Sequence, residues 1–228
     1  MTDGIFIINS ALNVKQLSVF NSQQRFDQTV ETIKSIDKYC PNNIKYIFDG
    51  SPEISSVEYI KELEKMGVNF FYTGNNQSVK QLSIYGKRSL AESLGFILFL
   101  DYFSKNKVNA KRIYKISGRY KINDNFIKDR DDFQDAFVFS PPLDSWMPAL
   151  KQEASGTNKL FRLRMWHMDY SLLDTFISKM PRIFNDCMNH DIDVEHSYYK
   201  NLNMHKCVTV EKIGVEGAIA PTGEYINE

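Results

Sequence analysis

GIFIIN (residues 4–9), KYIF (residues 45–48) and VNFFY (residues 68–72) are three short apolar runs. Each is closed by small or polar residues: Asn9-Ser10, Asp49-Gly50-Ser51-Pro52 and Thr73-Gly74-Asn75-Asn76. A continuous apolar run of this length suits a strand buried on both faces. Between the first two runs, Phe26, Val30, Ile33 and Ile36 recur at helical spacing within residues 25–39, and Pro41-Asn42-Asn43 ends that stripe. Between the second and third, Ser55 or Ser56 can cap a helix that runs to Met66 and stops at Gly67. The first 76 residues therefore read β-α-β-α-β, which predicts a parallel sheet with helices on its faces. Ligands of such sheets sit at the carboxyl ends of the strands. That rule places Asn9, Ser10, Asp49, Gly50 and Gly74 on one binding edge.

Outward from this unit, residues 87–105 read as a long helix. Its start, Gly86-Lys87-Arg88-Ser89, can turn backbone N–H groups and two cations towards an anion. KRIYKISGRYK (residues 111–121) and AFVFS (residues 136–140) read as strands, and the alternating KLFRLRMW (residues 159–166) as an exposed or edge strand. Residues 170–180 and 194–202 look helical, residues 207–210 begin a last strand, and residues 214–223 form a glycine-bearing loop. The charged residues 124–135 make a solvated connection, and no repeat or linker interrupts the chain. The expectation is α/β: a single Rossmann-like domain over residues 1–228, with a mixed, mostly parallel sheet flanked by helices. Residues 1–122 would form a nucleotide-binding half and residues 123–228 a more irregular half that could shape an acceptor site.

Composition narrows the function. The 228 residues carry 28 Lys+Arg against 28 Asp+Glu, so no excess of base speaks for nucleic acid as a partner. Aromatics at 13% argue for a packed core rather than disorder. Cys40, Cys187 and Cys207 are scattered, which suggests neither a disulfide framework nor a zinc cluster and makes a reducing compartment the default. The opening residues lack a basic signal region, and the apolar stretch at residues 94–100 is too short to cross a bilayer. A cytoplasmic protein without a transmembrane segment is expected.

The most informative stretch is YKISGRY (residues 114–120). Lys115, Ser117 and Arg119 share one face at period two, and fixed Lys and Arg groups can neutralise a diphosphate. The plain alternative is a strand with an exposed basic face. Asp193-Val194-Glu195-His196 offers two carboxylates that could deprotonate an alcohol, or simply an acidic first helical turn. Asp49 could accept from a nucleobase or ribose, or belong to an ordinary Asp-Gly turn. Asp129-Arg130-Asp131 has the D-x-D form of metal-phosphate sites but lies in the charge run KDRDDFQD, which favours a solvated loop. The four histidines show no ligand spacing, and His205 is at most a single metal ligand. GxxxxGK[ST], GxGxxG and GxSxG are all absent. Trp146, Trp166, Tyr170, Tyr198 and Tyr199 offer faces on which sugars stack, or pack a core.

Taken in order, FIINSA, RFDQTVETIKSIDKYCP, YIFDGS, YGKRSLAESLGFILFLDYF, KISGRYKIND, DVEHSYYKNL and IGVEGAIAPTGE resemble the nucleotide-sugar-dependent glycosyltransferases of the GT-A fold. The likeness is strongest to small viral and bacterial members that build surface glycans. It implies transfer of a hexose-type sugar from a nucleoside-diphosphate sugar to a glycan or lipid-linked acceptor. By this resemblance the donor would meet Asn9, Ser10, Arg25, Asp49, Gly50, Lys87, Lys115, Ser117, Gly118 and Arg119. Asp193 or Glu195 would be the catalytic base of an inverting enzyme, and Trp146, Trp166 and Tyr198 would face the acceptor. The glycine loop at residues 214–223 would close as a lid. The family commonly holds Mn or Mg with a D-x-D after the fourth strand. Here that place reads Ser117-Gly118-Arg119, so Lys115 and Arg119 would partly replace the ion and metal-independent activity is expected to be possible. A nucleotidyltransferase on a similar sheet and a non-catalytic glycan- or nucleotide-binding module are the alternative readings.

Overall fold

The structure is a computed structural model that describes residues 2–13, 18–106, 108 and 110–228. β1 (Thr2–Ser10), α1 (Ser22–Tyr39), β2 (Ile44–Asp49), α2 (Val57–Lys65) and β3 (Val68–Tyr72) form the predicted β-α-β-α-β unit. Next come α3 (Gln77–Ile84), α4 (Arg88–Lys105), β4 (Ala110–Ser117), β5 (Tyr120–Ile122), β6 (Phe137–Phe139) and β7 (Leu143–Asp144). α5 (Ala149–Ser155), β8 (Lys159–Leu160), β9 (Met165–Asp169), α6 (Leu173–His190) and α7 (Val194–Leu202) lead to β10 (Cys207–Thr209), β11 (Val215–Ala218) and β12 (Tyr225–Asn227).

The central sheet has seven strands in the order β10-β6-β9-β4-β1-β2-β3. β3, β2, β1 and β4 run parallel, and β9 is antiparallel to both β4 and β6. Alternation along β1 divides the core. Phe6 and Ile8 pack with Phe26, Ile33 and Ile36 of α1, whereas Ile5 and Ile7 pack with Phe96, Phe99 and Phe103 of α4. Both faces of the sheet are thus covered, which is why the strands read as unbroken apolar runs. α1 starts at a reciprocal cap between Asn21 and Gln24, and Ser56 caps α2 by accepting from the Tyr59 N–H.

Four sequence expectations change. Residues 111–121 are two strands, not one: the chain turns at Gly118-Arg119, and β5 leaves the main sheet to pair with β11. Residues 159–166 are not an edge strand. Only Lys159–Leu160 pairs there, while Met165–Asp169 is an interior strand with Trp166 wholly buried. The alternation of basic and apolar residues imitated an edge because Arg162 and Arg164 lie outside any strand and pair with Glu228. The glycine segment at residues 214–223 is half strand: β11 is held between β5 and β12, which removes it from the expected lid. Gly214, at φ 88°, could not bear a side chain, since a Cβ would lie 2.2 Å from Phe126 Cα. Finally, α3 was not anticipated, because QSVKQLSI carries almost no apolar stripe and only Val79 is buried.

Trp166 anchors the second half of the sheet, with the rings of Phe176, Tyr198 and Phe139 at centroid distances of 5.0, 5.8 and 5.9 Å. Trp166→Ala is expected to cost about 3–5 kcal/mol in urea denaturation, through lost burial plus a cavity. Trp166→Phe should cost much less, because the buried indole N–H has no hydrogen-bond partner to lose. Equal losses in the two variants would contradict this packing account.

Candidate active site

The sheet order reverses between β1 and β4, since β2 and β3 lie on one side of β1 and β4 on the other. At such a switch point the loops after the two strands diverge and leave a crevice. A cavity of about 450 Å³ opens there, at the carboxyl ends of β1, β2 and β4. Its walls include Asn9 and Ser10 from β1, Gly50 and Pro52 after β2, and Ser117, Gly118 and Arg119 after β4. α1 supplies Arg25 and Thr29, α3 supplies Lys80, and the start of α4 supplies Arg88 and Glu92.

Three guanidinium groups converge in this cavity. Arg25 is brought down to about 10, first by burial and then by the positive charges of Arg119 and Arg88. Arg88 is lowered by burial and by Arg119. The buried Nε of Arg25 has no hydrogen-bond partner. Like charges held together under partial burial are unfavourable by themselves, so this cluster is suited to an anionic ligand. Glycines let the backbone approach. A Cβ on Gly118 would lie 3.0 Å from Thr29 Oγ1, and one on Gly74 would lie 2.0 Å from the Ser51 carbonyl oxygen.

The cavity also holds a fixed carboxylate. Glu92 Oε1 accepts from Asn9 Nδ2 at 2.6 Å and from Lys115 Nζ at 3.1 Å. Lys115 is almost wholly buried and donates also to the Leu163 carbonyl at 3.2 Å. Behind it, Leu163 N–H donates to Glu195 Oε1 at 3.4 Å. Glu195 is raised to about 7, chiefly by burial and next by the charge of Asp193, with a smaller contribution from Glu92. A chain of contacts thus runs from the cavity through Glu92, Lys115 and Leu163 to the first turn of α7.

The sequence-predicted residues divide accordingly. Asn9, Ser10, Arg25, Gly50, Ser117, Gly118 and Arg119 lie together on the cavity wall. Asp49 does not. It is buried and accepts the N–H groups of Leu12 and Ser51, so it pins the loops after β1 and β2 rather than meeting a ligand. Lys87 is exposed and pairs with Asp191 at 3.4 Å, outside the wall. Lys115 is one layer behind, as the partner of Glu92. Asp193 caps α7, with Oδ1 taking both the N–H and Nδ1 of His196. Trp166 and Tyr198, expected to face an acceptor, are core residues, while Trp146 is 63% exposed. His205 packs beside Phe137. Sequence reasoning missed Lys80 and Glu92, and of the two cations it placed at the start of α4 it is Arg88, not Lys87, that lines the wall. The polar positions at the start of an otherwise apolar α4, namely Arg88, Ser89, Glu92 and Ser93, were the available signal.

The turn after β4 offers no pair of carboxylates for a divalent metal. The turn after β4 presents Ser117 and Arg119, Glu92 is already paired with Lys115, and no group of three His, Cys, Asp or Glu suited to an ion occurs among the described residues. No described helix is long and apolar enough to cross a membrane.

No protein-family profile and no curated protein matches the sequence. Solved structures do. The galactosyltransferase LgtC, in complex with donor and acceptor sugar analogs, superposes with a TM-score of 0.56 at 10% identity, over 90% of this chain and 72% of LgtC. The chain has the GT-A fold. The glycosyltransferase GlyE of Streptococcus pneumoniae matches with a TM-score of 0.51 at 9% identity, over 91% of this chain and 45% of GlyE. The GT-A fold is shared with a different activity, since the CTP:phosphocholine cytidylyltransferase LicC of Streptococcus pneumoniae also has a TM-score of 0.51, at 12% identity, over 95% of this chain and 92% of LicC. The chain thus spans about half the length of some of the structures it resembles.

Proposed function

We propose that this chain is a glycosyltransferase that moves a hexose-type sugar from a nucleoside-diphosphate sugar to a glycan or lipid-linked acceptor. The observation that carries the reading is the convergence of Arg25, Arg88 and Arg119 on a cavity at the switch point of a GT-A sheet. The guanidinium groups hold the diphosphate and stabilise the charge that grows on it as the glycosidic bond breaks. Asn9, Ser10, Gly50, Ser117 and Gly118 shape the wall around the donor. Glu92, fixed by Lys115 and Asn9, faces the sugar. Glu92 is the carboxylate within reach of the acceptor hydroxyl, and Glu195, behind Lys115 and Leu163, acts on it as a positioning residue rather than by contact with substrate. Asp193 is spent on His196. The exposed Trp146 offers the acceptor an aromatic face.

Thermal unfolding with a panel of nucleoside diphosphates and their sugars tests the reading, in EDTA and in Mn²⁺. At 100 times its dissociation constant a ligand should stabilise the chain by about 2.7 kcal/mol. One diphosphate family should shift the transition and the shift should survive EDTA. No shift with any nucleotide would end the proposal. The likeness to LicC supports a second reading, nucleotidyl transfer. Release of pyrophosphate from a nucleoside triphosphate, rather than of a nucleoside diphosphate from a sugar donor, would decide for it.

A further inference from the structure

Away from the cavity, three side chains form an ordered hydrogen-bond relay. Ser145 Oγ lies 2.8 Å from His196 Nε2, and His196 Nδ1 lies 2.6 Å from Asp193 Oδ1. The roles around the relay are fixed by its neighbours. Asp193 can only accept when ionised, so Nδ1 carries the imidazole proton and Nε2 is the acceptor. The Met147 N–H donates to Ser145 Oγ at 3.0 Å and occupies one of its lone-pair positions. The hydroxyl proton is thereby directed to Nε2. This is the arrangement of a serine nucleophile with a base oriented by a third group, which is recognised by geometry and roles rather than by a sequence motif.

The surroundings suit a reagent that reaches Ser145 from outside. His196 is wholly buried, with the indole of Trp146 edge-on at 5.0 Å, so its ring is packed away from bulk solvent and Nε2 opens only towards Ser145. Ser145 itself is half-buried, on a segment where Met147 is buried but three apolar side chains stand out: Trp146 is 63% exposed, Leu143 42% and Leu150 81%. Exposed apolar groups on both sides of a half-buried hydroxyl favour an uncharged substrate with an apolar acyl or leaving group. The segment is held firmly, since Ser145 N–H donates to the Asn158 carbonyl at 2.8 Å and Gln152 Nε2 to the Met147 carbonyl at 2.7 Å. Asp193 is therefore not an alternative sugar-transfer base but the orienting member of a second site.

We propose that Ser145 is a base-activated nucleophile that accepts acyl groups from uncharged esters. In the first step the Ser145 Oγ–acyl carbon bond forms and the ester C–O bond breaks. The hydroxyl proton passes to His196 Nε2 and on to the departing alkoxide. Water then adds to the acyl-serine, gives its proton to Nε2 and releases the carboxylic acid, restoring Ser145.

A fluorophosphonate probe reports the nucleophile without requiring turnover: Oγ–P forms, P–F breaks, fluoride departs, and the proton leaves through Nε2. Intact mass and peptide mapping should show one adduct per chain, at Ser145, and none in Ser145→Ala. Asp193→Asn keeps an effective helix cap but no longer holds the imidazole in this tautomer, and should slow labelling at least ten-fold with the helical circular dichroism unchanged. p-Nitrophenyl butyrate should be hydrolysed by the native chain and not by Ser145→Ala. Failure to label, labelling at another residue, or an unchanged rate in Asp193→Asn would each overturn the proposal and leave the relay as a tie between the loop and α7.

Discussion

Arg119→Ala is expected to weaken binding of a nucleoside diphosphate by roughly 10–100-fold, the usual range for losing a charge-assisted hydrogen bond or two. The loss should be equally large in EDTA. Arg119 follows β4 directly and sits with Arg25 and Arg88 on the cavity wall, so its removal opens a gap in the charge that faces the diphosphate. Arg25→Met supplies the contrasting half of the test. Burial and two like charges already hold Arg25 down, at about 10, so the ligand-free chain carries it at a cost. Arg25→Met should lose binding and yet raise the melting temperature of the free chain by about 2–4 °C, the shift that roughly 1 kcal/mol produces at this length. A variant that binds poorly because it is misfolded would melt lower, so the two outcomes separate cleanly. Unchanged binding in both variants would remove the arginine cluster from the proposed function.

Glu195→Gln is expected to lower sugar transfer by about 10-fold, less than the loss of a general base would, since Glu195 acts through Leu163, Lys115 and Glu92. It should also alter stability with a definite sign. Burial raises the folded-state value from 4.5 to about 7. Between these two values the folded chain keeps a proton that the unfolded chain has released, so stability falls as pH rises through this window. Above pH 7 the penalty is complete, and it amounts to at most about 3 kcal/mol. Glu195→Gln lacks the ionisation, so the fall should be missing, leaving the rise with pH that buried His167 contributes, and its stability should exceed that of the native chain at pH 8. Chemical denaturation at pH 5, 6.5 and 8 reads this directly. A fall with pH that survives in Glu195→Gln would place the raised group elsewhere. Native sugar-transfer activity should itself change with pH near 7, and that change should be missing in Glu195→Gln, since ionisation of Glu195 adds a charge behind Glu92.

Much of the fold was legible because the relevant signals are local. The runs at β1 and β2 are buried on both faces and α1 repeats its apolar positions at helical spacing, while β3, at the sheet edge, is only partly buried. What misled the reading was pairing between distant segments. Trp166 lies in an alternating stretch that resembles an edge strand, yet β9 inserts between β4 and β6 and buries it. Tyr198 sits on a helix whose polar residues hide the depth at which its ring packs. Lys87 and Arg88 are neighbours in sequence, but α4 begins between them. One faces the cavity and the other pairs with Asp191 on the surface.

The site shows the same division more sharply. Asn9, Ser10, Gly50 and the Ser117-Gly118-Arg119 turn could be placed from sequence, since strand ends of a parallel sheet share one edge. Which carboxylate meets the ligand could not. Asp49 ends a strand as expected, but folding spends both of its oxygens on the N–H groups of Leu12 and Ser51. Glu92 looked like one more polar helix residue until the approach of Lys115 and Asn9 fixed it in the cavity. By itself, then, the sequence determined the parallel β-α-β-α-β core and the edge where a ligand must lie, because hydrophobic period and strand polarity are properties of short segments. Only the tertiary structure decided which charges face that ligand, which neutralise one another and which stand in the Ser145–His196–Asp193 relay. Those roles depend on distances between residues as far as 104 positions apart along the chain, as between Lys87 and Asp191.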